Sequence, residues 1–193
     1  MNEPTQEPRY TFAEYLALDQ ATEEKLEYIN GRVVTMPQAT VEHAVLAANV
    51  AGELNNALQD RSRCYVFSSR LRFRVPATGF ATYPSASVVC GKVESDPEDE
   101  DTVTNPILLA EILAPGPRRH SWLRRFGSYR QLPSLREYLV VSQEERSVEH
   151  YARNEDDSWT LRDVRLPQAI EVPSLGISLS LDRIYEKVFD LES

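Results

Sequence analysis

The chain has 193 residues, 41% hydrophobic and 26% charged, which places it in the ordinary soluble globular class and gives it length enough for a real core. Its formal charge of -9 excludes wholesale electrostatic binding to nucleic acid or to an anionic membrane, because the average field repels phosphate. Any such contact has to come from a local patch.

The opening "MNEPTQEPRY" is polar, carries two prolines and lacks the basic-then-apolar pattern of a signal peptide. No apolar run approaches the ~20 residues a membrane helix needs, so no membrane partner is expected. After this flexible start, residues 1–9, Thr11 and Glu14 have capping-box spacing and open a helix with Phe12, Tyr15 and Leu16 on its apolar face. "ATEEKLEYI" predicts a second short helix, running into Asn30-Gly31. That dipeptide before "RVVTM" is the strongest hairpin signal in the chain, since it accepts the positive φ angles of a type I′ turn. Thr40 begins a long helix to about Gln59, with Val45, Ala48, Leu54 and Leu58 along one side.

Three strands follow: "RCYVFS"; "RLRFRV", with Leu71, Phe73 and Val75 on one face and Arg70, Arg72 and Arg74 on the other; and "SASVVC". The basic stripe is solvated or approaches a phosphate backbone. Cys64 and Cys90 fall on separate predicted strands and form no CxxC pair, so neither a zinc site nor a disulfide is expected, and the expected compartment is a reducing cytoplasm. "ESDPEDED" is predicted as a solvated loop. "ILLAEIL" is a nearly all-apolar strand of the kind buried on both faces of a sheet. Ser121 caps a helix to about Leu132, "EYLVVS" is a further buried strand, "SVEHYAR" and "SWTLRDV" form a meander across Asn154 to Asp157, and Ser180 caps a closing helix. The expected architecture is one α/β domain over residues 10–193, a mixed sheet flanked by helices, with N-terminal helices and a hairpin and a C-terminal meander.

The chain contains no phosphate-binding glycine loop, no HExxH and no GxSxG, and His43, His120 and His150 share no metal-ligand spacing. Glu111, by contrast, sits inside a buried strand, where a carboxylate costs several kcal/mol unless it is paired, protonated or bound to a metal. No acid occurs between Glu111 and Glu137, while Arg118, Arg119, Arg124, Arg125, Arg130 and Arg136 crowd that interval. Trp122, Phe126 and Tyr129 recur there at helical spacing and are expected as core contacts.

The succession "EYINGRVVTM", "EHAVLAANVAGELNNAL", "LRFRVPATGFATYPSASVV", "NPILLAEILAP", "RRFGSYRQLPSLREYLVVSQ" and "VPSLGISLSLDRIYEKV" resembles the Uma-type family of restriction-endonuclease-like proteins, from about Tyr10 to Val188. The resemblance implies the PD-(D/E)XK nuclease fold, in which carboxylates hold Mg²⁺ or Mn²⁺ beside the scissile phosphate and a lysine assists the attacking water. Carried over by position, the family's "PD" falls on Pro84 and Ser85, its strand acid on Glu111, its helix-opening Asp on Ser121 and its lysine on Arg125. Glu111 is the one catalytic position retained and the one metal ligand left. Serine is a poor ligand for a hard divalent ion, and arginine, with a pKa above ~12, is no base.

One expectation is therefore that Glu111 and Arg125 form a buried ion pair, with Ser121 a helix cap and Ser85 a strand-entry residue. The chain is then a non-catalytic member binding DNA, RNA or a protein through Arg118, Arg119, Arg124 and Arg130, with no cofactor. The alternative keeps metal chemistry: Glu27, Glu42 or Glu53 supplies a displaced ligand, and Arg124 or Arg125 stabilises phosphate charge. A third is a structural protein, for instance a homodimer.

Overall fold

In a computed structural model, described over residues 8–113 and 121–190, the elements follow in chain order: α1 (Phe12–Gln20), β1 (Leu26–Ile29), β2 (Arg32–Thr35), α2 (Val41–Ala57), β3 (Cys64–Ser68), β4 (Arg72–Val75), β5 (Phe80–Thr82) and β6 (Ala86–Cys90). The chain continues through β7 (Ser95–Asp96), β8 (Asp99–Val103), β9 (Leu108–Ile112), α3 (Ser121–Tyr129), β10 (Glu137–Val141), β11 (Ser147–Arg153), β12 (Trp159–Arg165), β13 (Ala169–Val172), β14 (Ile177–Ser180) and α4 (Leu181–Ile184). The flexible start expected for residues 1–9 lies, as far as residue 7, outside the described residues.

The local signals act where the sequence places them. Thr11 and Glu14 close a full capping box on α1, the Thr40 hydroxyl accepts the N–H of His43 at the start of α2, and Ser180 caps α4. Asn30 and Gly31 turn with φ of 48° and 89°, the left-handed region that a type I′ hairpin between β1 and β2 requires.

The expected mixed sheet is realised as two. The first runs β2-β1-β5-β4-β8-β7 and is antiparallel except for β4 beside β8; the second runs β12-β11-β10-β9-β6-β3 and is antiparallel except for β9 beside β10, with β13-β14 as a separate ribbon. On one face of the second sheet α2 and α4 bury Leu46, Val50, Leu54, Leu58, Ile184 and Tyr185 against β9 and β10. The other face, which carries Leu109, Tyr138 and Val140, packs under α3 and against Phe73, Val75 and Phe80 of the first sheet. Strand β9 is thus covered on both sides, as its composition requires.

Five expectations change. "ATEEKLEYI" yields no helix: Leu26 to Ile29 pairs with both β2 and β5, because Leu26 and Tyr28 find the apolar underside of α1 and tertiary packing overrides a helical pattern rich in Glu. "ESDPEDED" is a β7-β8 hairpin rather than a loop. Its acids explain the third change, since Arg72 and Arg74 are neither wet nor free: Arg72 binds Asp19 at 2.6 Å and Asp99 at 2.7 Å, and Arg74 binds Asp96 and Glu98, each at 2.8 Å. Fourth, Cys64 and Cys90 stand directly opposite in the β3-β6 ladder and are joined as a disulfide. A separation of 26 residues hides that register from the sequence. Ala48 is also exposed, and the buried line of α2 is Leu46, Val50, Leu54 and Leu58.

The Arg72 cluster ties α1, β4 and β8 together, and Tyr83 adds its hydroxyl to Asp19 and accepts from the guanidinium. Replacing Arg72 by Met strands two shielded carboxylates. Denaturant unfolding is expected to show a loss of about 3–5 kcal/mol, against less than about 0.5 kcal/mol for Arg70→Ala on the exposed side of the loop. A loss under about 1 kcal/mol in Arg72→Met would show that the cluster does not clamp the sheet.

Candidate functional site

Strand β9 alternates its side chains, so that Leu108, Ala110 and Ile112 face α2 while Leu109 and Glu111 face α3. Glu111 therefore points into an interior where its residue is 4% exposed. Two side chains one helical turn apart on α3 meet it there: Arg125 Nη1 donates to Oε2 at 2.5 Å and the Tyr129 hydroxyl donates to Oε1 at 2.6 Å. The expected ion pair is present. The tyrosine, foreseen only as a core contact, is also a ligand of the carboxylate.

Arg125 has a second acid. Its Nε lies 2.9 Å from Glu27 Oε1, a close ionic contact without the alignment of a hydrogen bond. Because residues 26–29 are strand, Glu27 projects from β1 into the junction of the two sheets. Glu42 stays at the α2 N-terminus against Thr40, and Glu53 accepts the Ser180 N–H at 2.8 Å on the far side of the molecule. Of the three glutamates weighed as a displaced ligand, only Glu27 reaches the site.

Ser85 lies one residue beyond the Ala86-Ala110 pair, which sets it beside Glu111. Its hydroxyl accepts the N–H of Ile112 at 3.2 Å and so ties the end of β6 to β9. Ser121 is the first residue of α3, which ends at Tyr129 rather than Leu132. Trp122 and Tyr129 are buried, and Phe126 stacks on Tyr138 at 5.3 Å, as core contacts should. Arg124 on α3 and Arg130, one residue past its end, are exposed. Arg118 and Arg119 lie outside the described residues.

The electrostatics follow from burial. Desolvation pushes the Glu27 carboxyl above its ordinary value, with Arg125 pulling against it. Burial by itself would lower the Arg125 pKa, but Glu111 and Glu27 outweigh it, and the guanidinium ends above its usual range as a permanent cation. Burial and then Glu111 raise the Tyr129 hydroxyl well above its ordinary value, keeping it a donor. His43, near the N-terminus of α2, feels Glu111, Lys25 and Arg125; burial lowers its pKa, with the two cations adding to the shift. Its part in this environment carried no spacing signal in the sequence.

The residues do not fit a divalent ion. Both Glu111 oxygens are taken by Arg125 and Tyr129, Glu27 is paired with Arg125, and the Ser85 hydroxyl is engaged by the backbone. Among the described residues no three His, Cys, Asp or Glu side chains gather to hold a metal, where Mg²⁺ asks for about six oxygens in an octahedron.

The model of the Uma2 family, described as "Putative restriction endonuclease", matches residues 12–182. The chain is 29% identical over 181 residues to the uncharacterized protein slr1290 of Synechocystis sp. (strain ATCC 27184 / PCC 6803 / Kazusa), covering 92% of each. It is 31% identical over 154 residues to the uncharacterized protein sll1609 of the same strain, covering 80% of this chain and 86% of that one. Among solved structures it resembles a putative nuclease belonging to DUF820 from Anabaena variabilis ATCC 29413, with a TM-score of 0.76 over 93% of this chain and 99% of that one. At 19% identity that likeness speaks to the fold.

The raised Glu27 pKa has a signed consequence. Between the unfolded value, near 4.5, and the higher folded value the native state holds more protons than the unfolded one, so this group's contribution to stability falls as pH rises. Urea unfolding at steps from about pH 4 to about pH 7 should show wild type losing stability relative to Glu27→Gln across that window. A difference that is flat, or that rises with pH, would show Glu27 to be charged throughout.

Proposed function

Since the chain belongs to the Uma2 family, whose restriction-endonuclease-like fold it shares, we propose that it is a non-cleaving member that binds nucleic acid through the exposed arginines of α3. The observation that carries this reading is the Arg125 guanidinium lodged between Glu111 and Glu27, at 2.5 and 2.9 Å. Metal-dependent phosphodiester cleavage needs an ion that polarises a phosphoryl oxygen and lowers the pKa of a bound water. A guanidinium offsets part of the charge of the two acids and does neither. It also holds its proton at every working pH, so it supplies no base.

For binding, Arg124 and Arg130 are exposed and have no ion-pair partner among the described residues, which leaves their charge available to phosphate. Arg118 and Arg119, just upstream, belong to the same acid-free interval. A cytoplasmic setting is part of the reading. Thiol reduction there would leave the β3-β6 ladder to its backbone hydrogen bonds.

One observation favours the second reading, an active endonuclease with a rearranged site: Glu27 converges on Glu111 and is the second carboxylate that Ser85 does not provide. Cleavage of supercoiled, linear and single-stranded DNA and of RNA, in Mg²⁺ and in Mn²⁺, separates the two. Wild type is expected to cut none of them, and the double variant Ser85→Asp with Arg125→Lys to gain metal-dependent cutting. Cutting by wild type that Glu111→Ala abolishes would overturn the non-cleaving reading. Reversing Arg124 and Arg130 to Glu is expected to weaken nucleic-acid binding at low salt by at least ~10-fold, and an unchanged affinity would remove the nucleic-acid part.

A further inference from the structure

At the other end of β10 from the Glu111 pair, a cavity of about 490 Å³ opens among the ends of β10, β11 and β12. Glu111 lies beside Val140, and the cavity begins at Glu137, three residues back along the strand and so about 10 Å away at ~3.3 Å per residue. Arg136, Arg153 and Arg162 meet there. The backbone explains why: the Arg153 N–H donates to the Arg136 carbonyl at 2.8 Å, and the turn after β11 sends β12 back with Arg162 opposite His150. No sequence spacing unites them.

The charges at the cavity divide into committed and uncommitted. Glu137 is buried, with Oε2 on His150 Nε2 at 2.6 Å and Oε1 accepting the Ser174 N–H at 3.0 Å. Arg153 is fixed by Asp157 at 2.9 Å and by the Leu132 carbonyl, also at 2.9 Å. Glu155 is an acid at the exposed turn. Arg136 and Arg162 are exposed and have no ion pair or side-chain hydrogen bond among the described residues. Two arginines that line one cavity and are bound to no acid among the described residues, in a chain of charge -9, offer paired N–H donors of the kind that grip a tetrahedral oxyanion.

We propose that this cavity is a phosphate-binding site, with Arg136 and Arg162 as its ligands and Arg153 holding its wall. The phosphate group comes either from a small free anion or from a nucleic-acid backbone. The site stands independently of the non-cleaving reading, since none of its residues touches Glu111 or Arg125.

The test is calorimetric titration of the full chain at low salt with pyrophosphate and, separately, with a single-stranded oligonucleotide. Wild type is compared with Arg136→Ala/Arg162→Ala and with the charge-matched control Arg63→Ala/Arg70→Ala, all four positions being exposed. Pyrophosphate binding that weakens at least ~10-fold in the first variant and not in the control is the expected result. If oligonucleotide affinity falls in parallel and pyrophosphate competes, the phosphate is a backbone group; if only pyrophosphate binding falls, it is a free anion. Absence of binding for both probes, or equal weakening in the control, would overturn the site.

Discussion

A carboxylate in the middle of a strand covered on both faces has to be matched by charge and by hydrogen bonds, and the arrangement around β9 meets that requirement at Glu111. The matching cation comes from α3, which must lie across the second sheet at a height that brings Arg125 and Tyr129, one turn apart, onto the two carboxylate oxygens. The first sheet must in turn come close enough for Glu27 to meet the other side of the guanidinium. Its position is secured by Arg72, which locks α1, β4 and β8 to one another. Arg125 therefore joins the two sheets to the helix, while Arg72 braces the first sheet and α1, each arginine spanning two acids.

The choice of arginine has a geometric reason. Nε and Nη1 of one planar group reach different carboxylates at the same time, which the single ammonium of a lysine does only by compromise. Two acids and one cation leave a residual negative charge, and the Tyr129 hydroxyl spreads part of it onto a further donor. Serine at position 85 belongs to the same balance. A third carboxylate beside Glu111 would add to a negative charge that Arg125 already only partly offsets, whereas a hydroxyl satisfies the Ile112 N–H and adds no charge. Ser85 and Arg125 are thus physically coupled: with a covalent cation already shared by two acids, a further acid at position 85 would be a burden.

Where the sequence was legible, the determinant was local. Thr11 with Glu14, Asn30-Gly31, Thr40 and Ser180 each act within four residues, and each stands where the pattern puts it. The buried acid of "ILLAEIL" was also visible, because an all-apolar strand makes one charge conspicuous. The partners were not. Glu27 resembled a helix-face charge until β1 paired with β5, and Tyr129 resembled a core aromatic because its hydroxyl has no signature in spacing. The pairing of Cys64 and Cys90 depends on register between segments that no short window contains.

The same distinction governs the arginines. In the sequence Arg72 and Arg74 form a basic stripe as plain as the run from Arg118 to Arg136, and composition alone treats the two alike. The chain between them supplies the difference: the acidic hairpin β7-β8 folds back beside β4 and seals the first pair, burying Asp96 against Arg74. No acid intervenes after Glu111 until Glu137, and Glu137 is consumed by His150. Arg125 turns inward to Glu111, leaving Arg124, Arg130 and Arg136 facing out. Arg124 and Arg130 therefore have no acid near them in sequence, so the net charge of the whole chain does not fix the charge of each local surface.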